Sequence, residues 1–128
     1  MTIETGPQWT AMQGDSCERL GELADNSVDL SVYSPPFASL YTYSPDDRDL
    51  GNCADTATFL EHYQFITTEL LRVVKPGRIV AVHCAQLPSL KWRDGFVGLQ
   101  DFRGDLIRAH IATGWQFHGE VTIDKDPQ

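Results

Sequence analysis

Two runs of strand-forming residues, separated by one long helical pattern, constrain this 128-residue chain more than any other feature. The first run, Val28-Asp29-Leu30-Ser31-Val32-Tyr33, alternates apolar and polar side chains, as a strand with unequal faces does. The second, Arg78-Ile79-Val80-Ala81-Val82-His83, is almost continuous in apolar and β-branched residues, the pattern of a strand buried on both faces. Between them Leu60, Tyr63, Ile66, Leu70 and Val74 recur at helical spacing. Thr58-x-x-Glu61 has the form of a capping box at the start of that helix, and Lys75-Pro76-Gly77 ends it. Upstream, Gln13-Gly14 closes a short strand, and Asp15 or Ser16 caps a short helix carrying Leu20 and Leu23. Downstream, an irregular stretch over 85–101 precedes a helix with Leu106, Ile107, His110 and Ile111 on one face and Gly114 as its stop. Residues 116–123 read as a last strand. This alternation predicts an α/β fold, a mostly parallel sheet with flanking helices, in a chain long enough for one domain with a real core.

Ser34-Pro35-Pro36-Phe37 follows the first strand directly. The prolines fix their own φ near −65° and push the serine toward extended geometry. The product is a stiff turn offering a hydroxyl, carbonyls without competing N–H groups, and a flat ring. Such a turn suits capture of a planar, amino-bearing ligand such as a nucleobase; the alternative is a Pro-Pro loop that merely closes a strand. Ligands of open α/β sheets bind outside the carboxyl ends of the strands, which is where this turn lies. A long aperiodic stretch follows over 38–55, with Tyr41 and Tyr43 in it, of a length that in compact domains is functional or disordered.

Charge and cysteine content narrow the classes. A net charge of −8 weighs against a broad nucleic-acid face, although Lys91, Arg93, Arg103 and Arg108 gather late in the chain and leave room for a local basic patch. A solvated mixed-charge surface is the competing reading. Cys17, Cys53 and Cys84 are odd in number and widely spaced, which gives neither a disulfide framework nor a zinc site, and no metal is expected. No run approaches the roughly 18 apolar residues of a membrane span, and the first residues lack a basic region and an apolar core. The expected location is the cytoplasm, with no membrane partner.

Taken in order, Gly14-Asp15-Ser16, then Ala24-Asp25-Asn26-Ser27-Val28-Asp29-Leu30, then Ser34-Pro35-Pro36-Phe37 and Leu70-Leu71-Arg72-Val73-Val74-Lys75-Pro76-Gly77 carry a resemblance. The chain resembles the DNA amino-methyltransferases of restriction–modification systems and phages, from about Trp9 to Lys125. The resemblance implies a partial Rossmann-like sheet, S-adenosyl-L-methionine as methyl donor, double-stranded DNA as partner, and a bacterial or phage-infected cytoplasm. It also implies that the exocyclic amine of a flipped base is the acceptor. A serine at the head of the motif points to N4 of cytosine, with N6 of adenine as the alternative. Ser34 and the Pro35 carbonyl would accept the two amino hydrogens, Pro36 would stiffen the turn, and Phe37 would stack on the base, a contact worth about 1–3 kcal/mol. By the same resemblance Asp15 accepts from the adenine amino group of the donor, beside its reading as an N-cap, and Ser34 borders the donor. Tyr41 and Tyr43 would touch DNA, and Lys91 and Arg93 its phosphates. His83 reads as a hydrogen-bonded strand-end histidine facing the same rim.

Members of this family with the catalytic motif first continue into a target-recognition region and a Phe-x-Gly-x-Gly loop that cradles the donor. Residues 1–128 hold neither, so they are expected to form a single partial methyltransferase domain. Asp124 stands where a tryptophan is often found. Truncation is the favoured explanation, ahead of one half of a split enzyme or a non-catalytic remnant that binds DNA or a partner. A complementary half and a second copy of the chain are the protein partners this implies. Methylation of RNA or of a protein glutamine is a more distant alternative.

Overall fold

The computed structural model describes residues 2–36 and 56–126. The chain opens with an antiparallel hairpin, β1 (Ile3–Thr5) and β2 (Thr10–Met12), and a short helix α1 (Ser16–Gly21). Strand β3 (Val28–Tyr33) then leads to the long helix α2 (Thr56–Val73), which runs without a linker into β4 (Val74–Val82). Strands β5 (Leu87–Ser89) and β6 (Gly98–Gln100) pair antiparallel around the single-turn helix α3 (Lys91–Asp94), and α4 (Phe102–Thr113) is the last element.

The expected strand–helix–strand unit is present. β3 and β4 pair in parallel, from Val28↔Val74 through Leu30↔Ile79 to Tyr33↔Val82. Lys75-Pro76-Gly77-Arg78 bulge out of register between the first two pairs, with Gly77 at φ 77°, a left-handed conformation that glycine takes without steric penalty. The turn before β3 is stitched to the end of α2, because the Asn26 and Ser27 amides donate to the Arg72 and Val73 carbonyls at 3.0 and 2.8 Å. The Arg72 guanidinium reaches the other way, donating to the carbonyls of Leu20 (2.8 Å) and Leu23 (2.9 Å) and to Asp25 (2.6 Å). Arg72 on α2 thus adds a donor to carbonyls at and just beyond the end of α1, that of Leu20 also accepting from the Leu23 amide at 3.0 Å.

The core lies between α2 and α4 and under β5. Phe59, Tyr63, Leu87, Phe102 and Leu106 form it, with Tyr33, Ile66 and Val82 packed against its edge. Phe59 stacks on Tyr63 at 5.5 Å and meets Phe102 at 5.3 Å. The Asp101 side chain caps α4 through the Gly104 amide, and a Cβ on Gly104 would meet that carboxylate, which would have to shift. A polar seam crosses the core. His110 Nδ1 donates to the Leu106 carbonyl at 2.8 Å, its Nε2 faces the Tyr33 hydroxyl at 3.4 Å, and that hydroxyl bonds the Tyr63 hydroxyl. Burial pushes the Tyr33 phenol up to about 12, against a smaller lowering by its bond to Tyr63, and raises Tyr63 further.

Several expectations are corrected. Helix α2 begins at Thr56, so Thr58 lies within its first turn and is not its cap. Its buried face is Phe59, Tyr63, Thr67, Leu70 and Val73, and Val74 already belongs to β4. On α4, Leu106 and His110 of the expected face are buried, but Ile111 faces solvent, and Phe102 is buried in addition. The stretch 85–101 is a β5–α3–β6 excursion and not irregular chain. β4 is not buried on both faces: on the side away from α2, Leu30 is 59% and Val32 70% exposed, beside exposed Ile79. A parallel sheet ordinarily has both faces covered, and among the described residues helices cover one. Residues 116–123 alternate like a strand but join no ladder among the described residues, and Glu120 is held instead by an ion pair to Arg103 at 3.1 Å. Among the described residues one of three two-stranded sheets is parallel and two are antiparallel, so the fold is mixed α/β. Among the described residues no helix is long and apolar enough to cross a membrane.

Two outcomes test this packing. Phe59→Ala should cost about 3–5 kcal/mol in chemical denaturation, the range for a fully buried phenylalanine; a loss under about 1 kcal/mol would show that the α2–α4 contact is not the core. Burial lowers the His110 ring below its ordinary value, against a smaller opposing pull from the Leu106 carbonyl, so the folded state binds fewer protons than the unfolded one. Stability from this group is complete above the unfolded value of about 6.5 and is lost as pH falls below it. Thermal midpoints measured from pH 7.5 to 5 should therefore fall more steeply for the wild-type chain than for His110→Gln.

Candidate functional site

The carboxyl ends of β3 and β4 form one rim. Tyr33 and Val82 are partners in the ladder, and the His83 amide extends it by donating to the Tyr33 carbonyl at 2.9 Å. The next residue of each strand, Ser34 on one and His83 on the other, is exposed at this rim. Ser34 Oγ donates to the His83 main-chain carbonyl at 3.0 Å and lies 3.4 Å from His83 Nδ1. Pro35 is buried and Pro36 half-buried, so the turn is anchored by its rings while the serine faces outward.

A cleft of about 360 Å³ opens beside the turn. Its polar wall includes Ser16, Ser31 and Ser34, and its apolar wall includes Leu23, Ile66 and Leu70. Helix α1 therefore forms one side of it, α2 another, and the Ser34-Pro35-Pro36 turn the end. Asp15 stands immediately before the lining residue Ser16. Its Oδ1 accepts from the Cys17 amide at 2.8 Å, which is the N-cap expected of it. The Arg19 guanidinium, also on the cleft, is held by the Gln13 carbonyl at 2.9 Å and by Glu22 at 3.0 Å.

The other residues singled out from the sequence are placed differently. Phe37, Tyr41 and Tyr43 lie outside the described residues. Lys91 and Arg93 lie on α3 and do not line the cleft. Arg93 is turned inward on its own excursion, bonding Asp94 at 3.0 Å and the Pro88 carbonyl at 3.2 Å, and this pairing with Arg93 is the main reason the Asp94 carboxyl is held below its usual range. Lys91 is exposed, beside Trp92 at 83% exposure. Burial pushes the thiols of Cys17 and Cys84 up, away from the thiolate form that a nucleophile or metal ligand requires. Sequence reasoning assigned His83 no part in the turn. Its hydrogen bond to Ser34 depends on strand register, which no local pattern displays.

Solved structures share this fold. TTHA0409 of Thermus thermophilus, described as a candidate DNA modification methylase, aligns over 80% of this chain with a TM-score of 0.61 in each of three crystal structures. Sequence identity is 20% to its selenomethionine derivative, 22% to the native protein and 25% to the complex with S-adenosyl-L-methionine. The chain shares the fold of part of this candidate DNA modification methylase. The chain spans only 37–40% of the length of those structures. No family profile and no curated protein sequence matches it.

The cap geometry gives a direct expectation. Asp15→Ala should destabilise the chain by about 1 kcal/mol in urea denaturation, whereas Asp15→Asn, which still accepts from the Cys17 amide, should cost less than half of that. Equal losses in the two variants would mean that Asp15 acts through its charge and not as a cap.

Proposed function

We propose that this chain is the base-holding part of a DNA amino-methyltransferase, with N4 of cytosine as the methyl acceptor and N6 of adenine as the alternative target. The observation that carries the reading is the Ser34 hydroxyl, held by the His83 carbonyl at the carboxyl end of a parallel strand, beside a cleft next to the Asp15 cap. The fold shared with a candidate DNA modification methylase crystallised in complex with S-adenosyl-L-methionine supports it.

An exocyclic amine conjugated to a base ring is a poor nucleophile. Its nitrogen becomes reactive only when the lone pair is turned out of conjugation toward the electrophile. Two acceptors that take its two hydrogens do this and stabilise positive charge growing on nitrogen. Ser34 Oγ and the Pro35 carbonyl would take those two hydrogens, on a turn anchored by the buried Pro35 ring. Phe37 would stack on the extruded base. When bound, the methyl donor supplies an electrophilic sulfonium methyl. The cleft fits such a group, with an apolar wall for a purine and hydroxyls from Ser16 and Ser34 at its edge. Asp15, which caps α1 at the edge of the cleft, is the proposed acceptor for the adenine amino group of the donor.

The rest of the reading concerns partners. The proposed substrate is double-stranded DNA in a bacterial or phage-infected cytoplasm, within a restriction–modification or phage setting and with the catalytic motif first in the order of parts. Tyr41, Tyr43, Lys91 and Arg93 are the proposed DNA contacts, with Arg93 needing release from Asp94 to reach a phosphate. A complementary methylase half would cover the open β3–β4 face, where Leu30, Val32 and Ile79 are exposed. A homodimer using that face is the other arrangement.

The test is transfer of a tritiated methyl group from S-adenosylmethionine to duplex DNA, with the downstream half supplied. We expect N4-methylcytosine in the digested nucleosides and loss of at least about 100-fold in Ser34→Ala/Phe37→Ala, the scale of removing transition-state donors or acceptors. N6-methyladenine would correct the target base. No incorporation into DNA by the reconstituted wild-type protein would contradict the enzymatic reading and favour a domain that only binds.

A further inference from the structure

The reaction proposed above leaves a proton to dispose of, and the rim contains a group placed to receive it. A serine hydroxyl has one hydrogen to give and two lone pairs to offer. A carbonyl oxygen does nothing but accept, and the His83 carbonyl, at 3.0 Å, is the nearer acceptor for the Ser34 proton. With its hydrogen engaged there, the exposed Oγ keeps its two lone pairs for an incoming N–H donor. The His83 ring, at the same exposed rim, brings Nδ1 to 3.4 Å from the same oxygen. Both contacts arise from one register. Tyr33↔Val82 pairing sets the residues that follow the two strands side by side, and the His83 amide bond to the Tyr33 carbonyl locks them there.

We propose that His83 is the positioning residue of this site: its carbonyl orients Ser34 as an acceptor, and its neutral Nδ1 takes the Ser34 proton when the methylated amine sheds one. The inference rests on the amine-clamp reading of the turn. Methyl transfer forms a nitrogen–carbon bond, turns the sulfonium into a thioether, and leaves a cationic nitrogen bearing two hydrogens. One N–H bond then breaks toward Ser34 Oγ while the Ser34 O–H, turned from the His83 carbonyl to the ring, gives its proton to Nδ1. Serine is neutral before and after, the methylated amine ends neutral, and the imidazolium, open to solvent, returns its proton to water. The ring must therefore rest with Nδ1 unprotonated and its hydrogen on Nε2.

Long-range proton–nitrogen spectra of the full chain, labelled at histidine nitrogens and recorded where the ring is neutral, test this directly. We expect His83 in the Nε2–H form, with its Nδ1 resonance displaced in Ser34→Ala. An Nδ1–H form, or a resonance indifferent to Ser34→Ala, overturns the proposal. In the methyl-transfer assay His83→Ala should lower kcat about 100-fold, the low end for proton transfer by a positioned side chain, with KM for DNA unchanged. His83→Asn keeps a hydrogen-bond acceptor but cannot hold a proton at that position, so it should be as slow. Wild-type turnover in either variant overturns the proton-accepting role. A wild-type protein that methylates no DNA would fell the amine-clamp reading instead, and the ring spectra judge the Ser34–His83 pair separately.

Discussion

The parallel pairing of β3 with β4 is the constraint on which the rest of this structure depends. α2 runs straight into β4, so the crossover has no slack at that end. The turn before β3 is bonded to the last carbonyls of α2. Once register is set by Leu30↔Ile79 and Tyr33↔Val82, the residues after the two strands have no choice of neighbour. Ser34 meets His83, and the prolines that follow hold the turn in place. The same pairing leaves Leu30 and Val32 exposed on the other face, which suits contact with further polypeptide better than contact with water.

The site is supported from below by the aromatic core. Tyr33, the last residue of β3, gives its hydroxyl to the seam shared with Tyr63 and His110, while its carbonyl receives the His83 amide. One residue thus links the α2–α4 packing to the rim. A buried polar seam of this kind is costly unless each member finds a partner, and satisfied it favours one arrangement of strand and helices. Stiffness at Ser34 follows from that arrangement together with the buried Pro35 ring.

Much of this was legible in the sequence, for identifiable reasons. The strand over Val28–Tyr33, the helix that follows, and the cap at Asp15 are local features, written in alternation, helical spacing and a carboxylate two residues before the amide it binds. What the sequence did not show depends on distant partners. β4 has the composition of a doubly buried strand, but burial requires a second covering layer. Residues 116–123 have strand alternation but meet no ladder among the described residues. The β5–β6 pairing spans α3, so its short strands carry too little pattern to be seen. The Ser34–His83 bond joins residues 49 apart in the chain and exists only through register. Net charge was informative in a limited way: −8 describes the whole chain, whereas the rim is built from neutral hydroxyls, carbonyls and one imidazole.

In the proposed function, Ser34 Oγ and the Pro35 carbonyl would seat the exocyclic amine of a base. A crystal structure of the protein, reconstituted with its complementary half, bound to S-adenosylhomocysteine and a duplex oligonucleotide, measures this most directly. The account predicts a base extruded at the rim, its amine nitrogen about 3 Å from both Ser34 Oγ and the Pro35 oxygen, with the Ser34 proton still directed to the His83 carbonyl. A duplex bound with its bases stacked, or an extruded base held elsewhere than at Ser34 and Pro35, would contradict it.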